Sequence, residues 1–396
     1  MPIISHNNSQ KWLKEDVFSI NEAEAKNQDI RPLRIGFINY MPDKAFIATE
    51  KDFITPLIEA AGVLQFEVIF LKETSVIRNQ ETLNYINSHY KDVTPNILKQ
   101  CDILIQSGFN DLNNEGKDYN FINGKIAQNI LQNHRLATEN GATVQVASCA
   151  ASQVIAKSIY NISINRFENN KKILGVFPHS LNKKINENFI TKNLNSEFNV
   201  IYARNYKLNT QEILNHNTLE ALIISTEKIG DNKTQNETHL FYDPKKLFFG
   251  FQGHPEYQKF NILKEYLRDI GVYYRNCNNI KLPEIPENYF TDLGVKQIKS
   301  FRIQVQKIAK LREIFKIKNC SANNLDILLE KYDKENRPII SSEIYDEIIQ
   351  SWKDTGDKIW ARIFNATYQL TGFKAGQQLT TKRRINKYEN PLDALI

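Results

Sequence analysis

The chain carries only four cysteines in 396 residues, Cys101, Cys149, Cys277 and Cys320. None forms a Cys-x-x-Cys pair and none stands at metal-ligand spacing from a histidine, which excludes a disulfide framework and a cysteine-based metal site. Free thiols in so long a chain fit a reducing compartment, and a cytoplasmic location is expected. Long apolar runs are also missing. No stretch of about 18 apolar residues occurs, so no membrane span is expected. Residues 1–10 are polar and lack the apolar centre of a signal peptide. There is no internal repeat and no long low-complexity segment, although asparagine is abundant. Concentrated charge of one sign is absent too. The net charge is +6 and the pI is near 8.8, but lysine is spread along the chain. The single tight cluster, Lys382-Arg383-Arg384, lies near the end and reads as a solvated tail. This distribution fits an anionic small ligand, with neither nucleic acid nor membrane as a partner.

What is present is an ordinary globular composition, 41% hydrophobic and 24% charged. The length exceeds one compact core, so two domains or one large domain with an appendage are expected. Residues 1–30 are polar and read as a lead-in arm. Leu33 to Tyr40 reads as a buried strand that runs into the turn Met41-Pro42-Asp43-Lys44. Apolar positions in 46–61 suit an amphipathic helix. Phe66–Leu71 and Asp102–Gly108 are further strands, with a helical stretch near 93–99 between them. Residues 109–119 read as an exposed loop and 121–138 as a helix. This alternation predicts an α/β fold with a mostly parallel sheet wound on both faces. In such sheets ligands bind beyond the C-terminal strand ends, where Lys44, the Gly108 corner and Cys149 all fall.

The stretch Thr143 to Gln153 is a short buried strand, a corner and a helix of small residues, with Cys149 at the corner. An elbow of this kind lifts a nucleophile clear of the sheet, and the helix N-terminus behind it lowers a thiol's pKa. An inert buried cysteine is the alternative. In the second half, Ile173–Pro178 leads to His179, a candidate for lining the site or for the core. Further strands are expected at 199–204, 222–225 and 246–253. The last ends in His254-Pro255-Glu256-Tyr257, and a helix follows at 259–271. In extended geometry His254 and Glu256 point to the same side, so the carboxylate can orient the imidazole. With Cys149, the parts are a thiol nucleophile, a general base and an orienting acid. Lys44 is placed to stabilise an oxyanion or hold an anionic acyl group, or is a solvated lysine at a helix start. Arg204 and Arg268 can clamp a carboxylate in two-pronged fashion, or form surface ion pairs. The turn at 282–286 marks a boundary. From 293–332 and 341–370 the pattern is helical.

The motifs Asn39-Tyr40-Met41-Pro42-Asp43-Lys44, Ser148-Cys149-Ala150, Gly175-Val176-Phe177, Gly253-His254-Pro255-Glu256-Tyr257, Tyr266-Leu267-Arg268-Asp269 and Asn288-Tyr289-Phe290 together resemble the homoserine O-succinyltransferase family. The resemblance covers about 31–290, with an echo at 360–373. It implies a class I glutamine-amidotransferase-like fold in 31–290. Residues 291–396 are then a helical C-terminal region, with an insertion near 297–345 that the family lacks. It also implies acyl transfer from acyl-CoA, succinyl-CoA or acetyl-CoA, to the hydroxyl of L-homoserine in methionine biosynthesis. By that route Cys149 takes the acyl group as a thioester, and His254, held by Glu256, activates first the thiol and then the acceptor. Lys44 stands near the oxyanion, and Arg268, with Arg204, contacts the acceptor. Acyl-CoA is a co-substrate, no bound cofactor or metal is expected, and the expected assembly is a homodimer.

Three departures stand out. Ala150 follows the nucleophile where the family usually has tryptophan. Gly108-Phe109-Asn110-Asp111 replaces the Gly-Ala-Pro loop that carries the acyl-donor selector. Tyr202-Ala203-Arg204 replaces an acceptor-binding His-Ser-Arg. The donor therefore stays open between succinyl and acetyl, and the acceptor between homoserine, serine and another hydroxy amino acid. A glutaminase-like or peptidase-like hydrolase with the same triad, or a non-catalytic scaffold, are the competing readings.

Overall fold

The computed structural model describes residues 3–6, 9–15, 19–26, 32–61, 65–109, 123–140, 144–168, 171–182, 189–191, 194–226, 236–318 and 340–371. Cys320, the Lys382-Arg383-Arg384 cluster and loop residues 110–119 lie outside them. Among the described residues the strands are β1 (Ile3–Ser5), β2 (Ser19–Asn21), β3 (Leu33–Ile38), β4 (Phe66–Leu71), β5 (Ile103–Gln106), β6 (Val144–Ser148), β7 (Ile164–Arg166), β8 (Ile173–Leu181), β9 (Glu197–Arg204), β10 (Tyr206–Leu208), β11 (Glu220–Ser225), β12 (Thr238–Asp243) and β13 (Phe248–Phe251). The helices are α1 (Lys11–Glu15), α2 (Glu22–Lys26), α3 (Asp43–Ala60), α4 (Gln80–His89), α5 (Pro95–Leu98), α6 (Lys125–Asn140), α7 (Ala150–Tyr160), α8 (Thr210–Leu214), α9 (Asn261–Arg275) and α10 (Asp292–Lys318), with a last helix at Lys353–Thr371.

Eleven of the strands form one sheet in the order β2-β1-β4-β3-β5-β6-β13-β12-β11-β8-β9. From β2 to β13 every described pairing is parallel. The pairings β13–β12, β12–β11 and β11–β8 are antiparallel. The sheet is thus mostly parallel, as the strand–helix alternation predicted. Its parallel strands are covered on both faces, which is why they read as nearly unbroken apolar runs such as Ile103-Leu104-Ile105. Alternate residues feed two cores. Ile35, Phe37, Ile103 and Ile105 pack with α3 and with Trp360 and Phe364 of the last helix. Ile38 and Leu104 pack with Leu98, Ile130 and Val154 on α5, α6 and α7.

The chain leaves β3 towards β4 on one side and later returns to β5 on the other. Strand order therefore reverses between β3 and β5, and the loops after these strands diverge. A crevice opens at such a point beyond the strand ends. Asn39–Lys44 and Gly108 flank it, and β6, which carries the cysteine corner, is the next strand.

The described residues fall into two compact units. The first holds Met1–Ile173, Pro178–Glu256 and Trp352–Ile396, and the second Leu174–Phe177 and Tyr257–Ser351. The residues expected as a lead-in arm contribute β1 and β2 to the sheet, with Ile3 pairing to Phe66, and they bury Trp12 and Leu13. The last helix belongs to the first unit. Its apolar stripe, Ile359, Trp360, Ile363 and Phe364, is buried. Gly356 of this helix lies so close to the carbonyl of Pro255 that a Cβ there would meet that oxygen at 2.7 Å. In the second unit, Arg302 on α10 donates to the Tyr266 hydroxyl at 3.0 Å and to the carbonyl of Pro283. Among the described residues no helix is long and apolar enough to cross a membrane.

Candidate active site

Cys149 sits between β6 and α7 with φ of 49° and ψ of −119°. A non-glycine residue holds such a conformation only where its surroundings impose it. Three contacts do so. The Cys149 amide donates to the carbonyl of Phe251 at 2.7 Å. The Ser152 hydroxyl, one turn into α7, bonds the carbonyls of Cys149 at 2.7 Å and of Phe251 at 2.8 Å. The thiol is half-buried at the N-terminus of an eleven-residue helix, whose first N–H groups have no partner within the helix.

A Cβ on Gly108 would lie 3.3 Å from the Cβ of Cys149, so the backbone after β5 passes directly against that cysteine. The sulfur is also 3.9 Å from the carbonyl of Ala203 at the end of β9.

His254 follows β13 by three residues. It meets Glu256 through Nδ1 and Oε1 at 2.8 Å. The sequence argument placed the pair on an extended strand, but β13 ends at Phe251 and the pair is closed by the turn beyond it. Glu256 is 1% exposed and His254 6%. Burial alone would push the imidazole towards its neutral form. The negative charges of Cys149 and Glu256, with hydrogen bonds to both, outweigh it and hold the His254 pKa well above the usual histidine value. Near neutral pH His254 is therefore an imidazolium, held between Cys149 and Glu256.

Lys44 is exposed in the first turn of α3. The corner before it is held from inside by Arg78, which donates to the carbonyl of Asn39 at 3.1 Å and to that of Met41, beneath the ring of Phe46. Arg204 is 2% exposed, and its guanidinium is used within the protein. It donates to Glu237 at 2.8 Å and to Gln252 at 2.8 Å, and stacks 4.2 Å over Tyr202. Arg268, in the second unit, pairs with Glu265 at 3.2 Å and Asp269 at 3.0 Å. His179 is buried in the core against the Tyr202 hydroxyl at 2.8 Å.

Two residues near the triad escaped the sequence reading. Glu237 neutralises Arg204, and His239 accepts the Gly253 N–H on Nδ1 at 3.2 Å, directly before His254. Burial first, then the charges of His179, Arg204 and His254, hold the His239 pKa well below the usual value, so it stays neutral. Glu237 stands just before β12 and His239 lies within it; the strand's signal was the apolar run Leu240-Phe241-Tyr242 between polar segments.

A cysteine on a strained strand–helix corner lies beside a histidine–glutamate pair at the strand ends of a mostly parallel sheet, in an α/β fold. The chain belongs to the homoserine O-succinyltransferase family, whose model matches residues 2–373, and is an acyltransferase. It is 27% identical to a homoserine O-succinyltransferase of Methylobacter tundripaludum, over 95% of this chain and 96% of that protein. It is 30% identical to homoserine O-acetyltransferase 1 of Ilyobacter polytropus, over 70% of this chain and 82% of the relative. Among solved structures, it is similar to a glutamine amidotransferase from Thermotoga maritima, at 11% identity and a TM-score of 0.40, covering 84% of this chain and 99% of that one.

Proposed function

We propose that the protein moves a succinyl or acetyl group from acyl-CoA to the hydroxyl of L-homoserine, through a thioester on Cys149, as a step of methionine biosynthesis. The observation that supports this most directly is the Cys149–His254–Glu256 line, in which a buried carboxylate backs an imidazole whose raised pKa favours a thiolate partner. In the first half-reaction the Cys149 thiolate attacks the acyl-CoA carbonyl. The C–S bond to coenzyme A breaks, and its thiolate takes the proton from the His254 imidazolium. In the second, neutral His254 takes the proton of the acceptor hydroxyl as that oxygen attacks the acyl-cysteine. The Cys149 thiolate leaves and the ion pair is restored. The N–H groups opening α7 and the backbone at Gly108 supply the oxyanion environment, with Lys44 assigned to the acyl oxygen or the acyl carboxylate. Because Arg204 is engaged with Glu237, the acceptor carboxylate is assigned first to Arg268, on the family resemblance. A homodimer belongs to the same proposal, and light scattering tests it.

The test is to incubate the protein with succinyl-CoA or acetyl-CoA and weigh it. One acyl mass should appear on wild type and none on Cys149→Ala. Free coenzyme A should then rise with homoserine. Coenzyme A release with no acylated Cys149 would defeat the two-step route, and glutamine hydrolysis without acyl transfer would defeat the acyltransferase reading for this site.

One observation favours a second acceptor. The Ala203 carbonyl lies 3.9 Å from the sulfur, so the replacement of His-Ser by Tyr202-Ala203 falls beside the nucleophile. L-Serine should therefore be assayed beside homoserine.

A further inference from the structure

The residue immediately before the nucleophile is a serine, and its side chain makes a hydrogen bond that the mechanism above does not use. Ser148 ends β6, opposite Phe251 of β13 in the parallel register, and is 1% exposed. Its hydroxyl donates to Oε1 of Glu256 at 3.0 Å. That is the oxygen which His254 Nδ1 meets at 2.8 Å. Two donors from different elements thus converge on one carboxylate oxygen, and the serine hydroxyl is turned to the acid rather than to the substrate side.

We propose that Ser148 is a positioning residue for the reaction: its hydroxyl fixes the Glu256 carboxylate and, by sharing Oε1, limits how tightly that carboxylate holds the His254 imidazolium. The proposal rests on the acyl-transfer reading of Cys149. A hydrogen bond to an ionised carboxylate withdraws part of its charge and makes it a weaker partner for a neighbouring cation. The reaction needs such a limit. His254 must be protonated when coenzyme A leaves, yet neutral when it takes the acceptor's proton, and an imidazolium held too firmly blocks the second step. Cys149 and, from β12, His239 also act on His254. His179 and Arg204 stand behind His239.

The test is an NMR titration of the histidine rings in Cys149→Ala protein, with and without Ser148→Ala. The His254 signal is identified by its loss in His254→Gln. Removing the serine hydroxyl should raise the His254 midpoint by about half a pH unit or more. Ser148→Thr, which keeps the hydroxyl, should restore it. Ser148→Cys, a weaker donor, should fall between and covers the case in which threonine does not fit. In the enzyme with Cys149 intact, the pH profile of acyl-cysteine consumption by the acceptor should move alkaline in Ser148→Ala by the same amount. A serine that only packs would lower the rate at every pH and leave the midpoint in place. An unmoved or lowered His254 midpoint overturns the proposal. A raised midpoint in a protein that transfers no acyl group would keep the role of Ser148 and discard the acyl-transfer reading.

Discussion

The amide of Cys149 donates to the carbonyl of Phe251 at 2.7 Å, and this bond joins the two halves of the site. The Cys149 corner and the strand that ends three residues before His254 are one hydrogen-bonded piece. Ser152 ties the same carbonyl from the first turn of α7. The thiol and the imidazole are therefore referenced to a single backbone atom, so a disturbance on either side reaches the other.

Glu256→Gln keeps the shape of the acid and removes its charge. The amide neither stabilises an imidazolium nor fixes the histidine tautomer in the way a carboxylate does. Turnover should fall by about two to four orders of magnitude, by analogy with triad acids. Removing the carboxylate should also lower the pKa of His254, so thiolate should form at higher pH. Rates of Cys149 alkylation against pH read this directly. An unchanged profile would mean that another group orients the imidazole.

Gly356→Ala places a methyl group 2.7 Å from the carbonyl of Pro255. The helix itself gains about 1 kcal/mol from the exchange, which offsets part of the crowding. Stability should change little, while displacement of the His254-Pro255-Glu256 turn should cost about tenfold to a hundredfold in turnover. Thermal melts and turnover, measured together, separate the two effects. Parallel losses in both would show that the contact serves only folding.

The parallel half of the sheet was legible because its strands are buried on both faces and leave unbroken apolar runs. The cysteine corner and the histidine–glutamate pair were legible because their spacing is local. What the sequence withheld depended on tertiary placement. β1 is three residues long, and its pairing with β2 and β4 reveals it. The use of Arg204 could not be read because its partner Glu237 lies 33 positions away and precedes an unrecognised strand. The last helix was read as part of an appended helical region. Its buried stripe instead packs on the first core, and its glycine abuts Pro255. That contact has no signature in either segment alone.

Arg204→Met leaves Glu237 buried without its cation, and breaking a buried pair from one side costs about 3–5 kcal/mol. Denaturant unfolding should show that loss. Adding Glu237→Gln should recover part of it, since the stranded charge is then gone. A variant of wild-type stability with a raised acceptor KM would instead place Arg204 on the substrate.

Arg268→Lys tests the acceptor assignment. A lysine replaces a planar two-pronged donor with a point charge, so a bound carboxylate loses geometry as well as hydrogen bonds. The acceptor KM should rise about tenfold, equivalent to ~1.4 kcal/mol. The single-turnover burst of coenzyme A should stay as it is. A slowed burst with an unchanged acceptor dependence would move this arginine to the donor side or to the fold.

Glu50 gives a prediction independent of the chemistry. Its carboxylate is fully buried and receives Trp12 Nε1 at 2.9 Å, the Tyr85 hydroxyl at 2.7 Å and the Tyr90 hydroxyl. Burial pushes its pKa up to about 7, against the opposing pull of those three donors. In the unfolded chain a glutamate titrates near ~4.3. Between these values the folded protein binds the extra proton. This group's contribution to stability is therefore complete below the unfolded value and is lost as pH rises through about 7. Glu50→Gln carries no charge to bury. Its carbonyl can accept from Trp12 and Tyr85, while its amide donates to the Tyr90 oxygen. The melting temperature of the variant relative to wild type should therefore be higher at pH 8 than at pH 5, and the difference cancels the titration of every other group. A difference independent of pH would mean that Glu50 keeps one protonation state across the range, with its three donors outweighing burial.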